Sequence, residues 1–228
     1  MLNRTVMRNI LASLLALLGT ASPAQSQQKP GNIDLSKILY TTPTLSNDIA
    51  TLEPIVGQPK PAELIFHEDE WSQVEFFPKS QLREVQRLLK EYKPFEQGNR
   101  ATHGWRNVYV RKIQRLAIVS GDQPLRELEK TLGVNAAPGP ILSSAGSVTG
   151  RVRNGFTLPL GGNVSLYGYL SAGAIPILGA YVGENPDDLK LTQAFMKLNS
   201  KTGAILVDWR AQVILVSTAA GQVETWRP

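Results

Sequence analysis

The chain has 228 residues and no cysteine. That excludes disulfide staples, a thiolate-held zinc or iron–sulfur site, a thiol nucleophile and a lipidated cysteine. Histidine is nearly missing too, with only His67 and His103. Neither has HExxH spacing, and a catalytic zinc needs about three protein ligands in fixed geometry. His67 with Glu68, Asp69 and Glu70 therefore reads as a solvated acidic turn. No GxxxxGK[ST] or GxGxxG loop occurs, so a phosphate cradle for ATP, GTP or NAD has no support. No G-x-S-x-G occurs either, and the fragments around Ser147 and Ser165 have the composition of turns. Asp187 and Asp188 suit helix capping, while Asp208 stands alone beside Trp209 and Arg210. The expectation is a non-enzymatic chain with no cofactor, no metal and no catalytic set.

A long apolar run is missing as well. Ile10–Leu18 spans nine residues, too short to cross a bilayer. It follows Arg4 and Arg8 and precedes the small residues of Ala21–Ser26, the order of a cleaved secretory signal. Residues 1–26 are therefore expected to be a signal peptide, and the destination periplasmic or secreted. Without Arg4 and Arg8 the formal charge falls from +5 to +3. A disulfide-free exported domain suits a bacterial periplasm. No transmembrane helix is expected in the mature chain.

Residues 27–62 are rich in Gln, Pro, Thr, Ser and Asn, and no period lasts there. They read as a flexible tether, with Leu35–Tyr40 the one stretch suited to docking. Residues 63–228 read as a single α+β domain, long enough to bury about 70% of its unfolded surface. The expected architecture is an antiparallel or mixed sheet of seven or eight strands with three packed helices.

Trp71–Phe77 reads as a strand ended by Pro78. A helix then starts at Ser80 as N-cap, carries Leu82, Val85, Leu88, Leu89 and Tyr92 as its apolar stripe, and stops near Lys93 ahead of Pro94. Trp105–Ile113 has strand chemistry. Asp122 caps a second helix that has Pro124 in its first turn and Gly133 after its end. Asn135–Ser147 reads as a mobile loop. Asn154–Gly183 holds no charged residue; Val164, Leu166 and Leu170 alternate with Ser165, Tyr167 and Tyr169, which predicts hairpin strands turning at Gly161-Gly162 and Ala172-Gly173. Asn185 caps a third helix with Pro186 inside it, and three strands close the domain: 204–207, 212–217 and 223–226.

Charge is concentrated in one place. Between Lys79 and Arg115 stand ten lysines and arginines against three glutamates, a net of +7, just after five acids and no base in 63–75. Arg83, Arg87 and Lys90 share one helix edge by their i, i+4, i+7 spacing. Arg111 and Arg115, with Trp105, follow on the next strand. The expected function is an exported cell-envelope binding or assembly protein, with Arg83, Arg87, Lys90, Trp105, Arg111 and Arg115 contacting an acidic protein or an anionic envelope component. Nucleic acid is not the expected partner. Two other readings are a wall-directed hydrolase built on Asp208, His103 or a serine, and an inhibitor or immunity-type protein acting through an exposed loop such as 135–147. A neutral reading has the acidic turn at 67–70 cancel the basic edge within the chain.

Overall fold

The computed structural model describes residues 39–218 and 221–228. The expected signal peptide, residues 1–26, and positions 27–38 of the expected tether lie outside the described residues. The rest of that tether is part of the fold. It supplies β1 (Thr44–Ser46) and β2 (Leu52–Glu53), and Thr42, Thr44 and Ala50 are buried.

β3 (Ile65–His67) and β4 (Val74–Phe77) lead into α1 (Leu82–Asn99). A short 3-10 turn, Lys79–Gln81, precedes α1 in place of a Ser80 cap, and Gln81 makes no side-chain capping bond. Pro94 lies inside the helix instead of ending it. Proline removes only one rung of the ladder, and the turn beyond it is held from outside: buried Glu96 accepts from Arg100 and from the Trp105 indole. β5 (Arg100–Ala101) and β6 (Gly104–Trp105) form a small hairpin, and β7 (Tyr109–Arg111) is separate from it. The expected single strand 105–113 is thus broken, because Arg106 donates back to the Asn99 carbonyl at 2.8 Å.

β8 (Val119–Ser120) precedes α2 (Pro124–Leu132). Gln123, not Asp122, occupies the cap position of α2, and Gly133 closes it at φ 76°. The expected loop 135–147 is largely strand: β9 (Ala137–Pro138), β10 (Ile141–Ser144) and the start of β11 (Ser147–Val152). Its Gly, Pro and Ser content hides two consecutive buried apolar residues, Ile141 and Leu142.

The uncharged stretch becomes β12 (Gly155–Gly161), β13 (Val164–Ser171) and β14 (Ala174–Val182), paired antiparallel as the alternation predicts. The turns fall at Gly162-Asn163 and Ala172-Gly173, each with two consecutive positive φ values: 58° and 58°, then 48° and 70°. That is the twist-matched geometry of two-residue hairpins. α3 (Asp188–Thr202) is capped by Asp187, whose side chain accepts from the Leu189 amide, while Asn185 sits in the left-handed region at φ 48°. β15 (Ile205–Asp208), β16 (Val213–Ser217) and β17 (Val223–Trp226) complete the antiparallel meander.

Among the described residues the fold is α+β with three helices. Its main sheet has nine strands, more than the seven or eight expected, in the order β17-β16-β15-β4-β14-β13-β12-β9, with β8 also beside β14. A four-stranded sheet, β2-β11-β10-β3, and the pairs β1-β7 and β5-β6 lie around it. Strand alternation divides the core. Phe76, Leu178, Ala180 and Leu206 face α2 and α3. Phe77, Ile205, Val207 and Ile214 face α1. On the α1 side, Tyr167 and Ile177 meet Phe66, Leu142 and Val152 of the smaller sheet. Each such buried side chain contributes about 1.5–3 kcal/mol. Gly179 makes the join possible: a Cβ there would lie 2.4 Å from the Tyr167 ring.

Candidate functional site

The six residues expected to form one basic edge separate into two environments. α1 carries Arg83, Arg87 and Lys90 on its exposed face. Arg87 is neutralised by its own helix. It donates to Glu84 at 2.7 and 3.0 Å and pairs with Glu91 one turn on. The Arg87 hydrogen bond holds the Glu84 carboxyl below its usual value, and Glu84 and Glu91 raise that of Arg87. Lys90 holds its ammonium 6.0 Å from the centre of the Trp226 ring. Arg83 has no ion-pair partner among the described residues. Trp105 is half-buried and donates its indole N–H to Glu96 at 3.0 Å, a structural bond rather than a contact surface.

Arg111 and Arg115 are turned inward. The Arg111 side chain is 1% exposed. It donates to Thr44 Oγ1 at 2.9 Å and to the Ser72 carbonyl at 2.8 Å, and its guanidinium lies 4.8 Å from the Trp209 ring. Burial pushes its pKa down to about 10, against the pull of Glu75. Arg115 donates at 2.6 Å to Asp48 and at 2.6 Å to Glu75, and at 3.0 Å to Ser46 Oγ. Burial opposes its charge, but Glu75 and Asp48 outweigh burial and raise its pKa. Glu75 is fully buried and also accepts from the Trp209 indole at 2.7 Å. The expected site therefore does not include Arg111 and Arg115 as surface contacts. β7 ends at Arg111, yet burial keeps alternating beyond it: Arg111 and Ile113 are buried and Arg115 half-buried, while Lys112 and Gln114 are exposed.

The interior set is a clamp. Two guanidiniums face two carboxylates, and the set ties β1 to β4 and β7. β1 runs parallel to β7 in the register Thr44↔Tyr109 to Ser46↔Arg111. Gln73 adds a donor to the Thr44 carbonyl at 2.9 Å, and the Trp71 indole donates to the Asp48 carbonyl at 3.1 Å. Ser72 is fully buried at φ 57°, and its amide donates to the Tyr167 hydroxyl at 2.8 Å. Burial raises the pKa of Tyr167 and of Tyr92. Sequence reasoning missed Asp48, Ser72 and Glu75. The available signal was the acidic run before the basic one, which does pair across the fold. It does so through Glu75 with Arg115, Glu63 with Arg151 and Glu70 with Arg210. Within the acidic turn, Glu70 reaches Arg210 and Asp69 accepts from Thr41, and neither reaches the basic face of α1.

On the opposite side of the sheet lies a groove of about 420 Å³ between the start of α3 and strands β4, β14, β15 and β16. Val74, Leu191, Leu206 and Leu215 form its floor, and Asp188, Asp208 and the Glu70–Arg210 pair its rim. Asp208 accepts from the Ala211 amide at 2.8 Å, closing the turn after β15. His103, in the β5–β6 turn, does not line this groove, and neither Ser147 nor Ser165 does. Asp208 therefore does not share this groove with His103, Ser147 or Ser165. Among the described residues no group of three or more His, Asp or Glu is arranged to hold a metal, and no helix is long and apolar enough to cross a membrane.

Compared with models of known protein families, with curated proteins and with solved structures, the chain matches none.

Proposed function

We propose that the chain is an exported, non-enzymatic binding or assembly protein of the cell envelope, and that the outer edge of α1 contacts an acidic protein or an anionic envelope component. The observation that carries the reading is that Arg83 and Lys90 stay exposed on one edge while α1's opposite face is fully committed to the core. A rigid helix presenting cations to solvent suits recognition of an anionic surface. Arg87 is held between Glu84 and Glu91, so among the described residues the free charge of the edge comes from Arg83 and Lys90. Arg111 and Arg115 support this edge from inside by fixing β7 and β1 beside it.

The test replaces Arg83, Arg87 and Lys90 together by glutamine and measures co-sedimentation of the full chain with envelope fragments at low and high salt. The expected result is loss of the salt-sensitive part of the binding with an unchanged thermal midpoint. Binding that survives the triple substitution sinks the reading. Cell fractionation, with N-terminal sequencing of the accumulated chain, checks export and cleavage after Ser26.

A further inference from the structure

The groove under α3 has the opposite character to the α1 edge. Its floor residues Val74, Leu191 and Leu215 remain partly exposed although they pack against the core. Val182, on the rim, is 39% exposed. Apolar surface therefore runs from the floor out over the rim, where solvated polar residues would otherwise be expected.

The rim sets the sign of the occupant. Glu70, Asp188 and Asp208 stand against one cation, Arg210, and both terminal nitrogens of Arg210 are spent on Glu70 at 2.9 and 2.7 Å. Among the described residues Asp188 and Asp208 form no ion pair, so two carboxylates stand uncompensated on the rim. The N-terminus of α3 adds no net cation to the rim, because the Leu189 amide meets the Asp187 carboxylate cap. Phosphate or carboxylate ligands are repelled, and a cation beside an apolar group is attracted.

The shape sets the size. Val182, Asp188, Arg210 and Ala211 are all exposed along one open side. A chain can lie across such a rim and drop one or two side chains onto the floor. An enclosed small-molecule site buries its ligand on most sides. We propose that the groove between α3 and the sheet docks an extended segment of a partner protein in which a branched apolar residue is flanked by lysine or arginine.

Two dye-labelled nonapeptides test this with the full chain, read by fluorescence anisotropy. One carries Leu and Val between lysines, and the other has every lysine replaced by glutamate. The lysine peptide should bind, and the glutamate peptide should not. Asp188→Asn with Asp208→Asn should weaken the lysine peptide by roughly fivefold at low salt, the range for two exposed charge pairs. The amide side chain that Asp208→Asn introduces keeps an oxygen to cap the turn. Val213→Lys, at the groove's β16 wall, should abolish binding. Backbone amide shifts on titration should cluster at 180–182 and 208–213. Equal binding of both peptides, no effect of either variant, shifts clustered on α1, or equally tight binding of a free alkylammonium ion would each overturn the proposal.

Discussion

Arg83 and Arg111 come from one basic stretch of sequence, yet they do opposite things. On α1 the cations lie outside, against solvent or against carboxylates one turn away. On and after β7, Arg111 and Arg115 lie inside, against Glu75, Asp48 and the Trp209 ring. The helix can keep cations on one edge because its apolar stripe is complete without them. The strand segment cannot, since its inner positions fall where a third element, β1, must be held. A run of positive charge in a sequence is therefore two questions, one about a surface and one about what the interior has to fasten.

The sharpest way to break this comparison is to remove one partner from the interior set. Glu75→Ala leaves Arg115 with Asp48 as its one remaining carboxylate and the Trp209 indole unpaired, and should cost about 3–5 kcal/mol in denaturant unfolding. A change under about 1 kcal/mol, the range of an exposed pair, would mean the clamp is no stronger than the α1 surface.

Gly179→Ala comes next. Its Cβ meets the Tyr167 ring at 2.4 Å, so the layers must separate, and a loss of about 1–3 kcal/mol is expected. Tyr167→Phe should cost a similar ~1–3 kcal/mol, because the buried Ser72 amide loses its acceptor. Tyr92→Phe is the control. The Tyr92 hydroxyl is buried with no partner among the described residues, so its removal should leave stability unchanged or slightly raised.

Alkaline titration separates the two environments without mutation. Burial raises the folded pKa of Tyr92, Tyr109, Tyr167 and Tyr169 above the ordinary value of 10.0. Above that value the unfolded chain loses protons that the folded chain keeps. The tyrosines' contribution is thus fully present below pH 10 and falls as pH rises toward the folded values. Arg111 runs the other way. Its folded pKa of about 10 lies below 12.5, so between the two the unfolded state holds more protons and stability rises with pH. Four groups oppose one, so the net should be a fall. Tyrosinate absorbance followed with unfolding should show part of the six tyrosines ionising only as the fold is lost. The smallest effect belongs to the surface: Arg87→Gln should leave the unfolding midpoint where it is, since both its partners stay hydrated.

Much of the fold could be read ahead of the structure wherever a period was long enough. β12 to β14 follow from alternation between glycine turns, and α2 and α3 end at Gly133 and Gly203 in the left-handed conformation expected of such caps. β1 and β2 were not legible. Strands of three and two residues carry no period, and their ladder partners lie 65 residues or more away, as in Thr44 with Tyr109. The candidate site was half legible for the same reason. Helical spacing put Arg83, Arg87 and Lys90 on one exposed edge. Alternation around Ile113 was the one sign that Arg111 and Arg115 turn inward, and it counts only once that segment is known to lie against the core.

Glu75 meets Trp209 from 134 residues earlier in the chain. The strand that carries it, β4, sits between β14 and β15. In kinetic terms, β4 is made early and must wait for nearly the whole polypeptide. α1 can form as soon as it is delivered and meets Phe77, Tyr109 and Ile113 early, but its apolar stripe is fully covered only when Ile205–Asp208 arrives. Closing such distant pairs makes folding slow relative to a helical chain of equal size. A chain delivered N-terminus first stays open along its central strand until its last segments emerge, and the C-terminal meander decides when folding is complete.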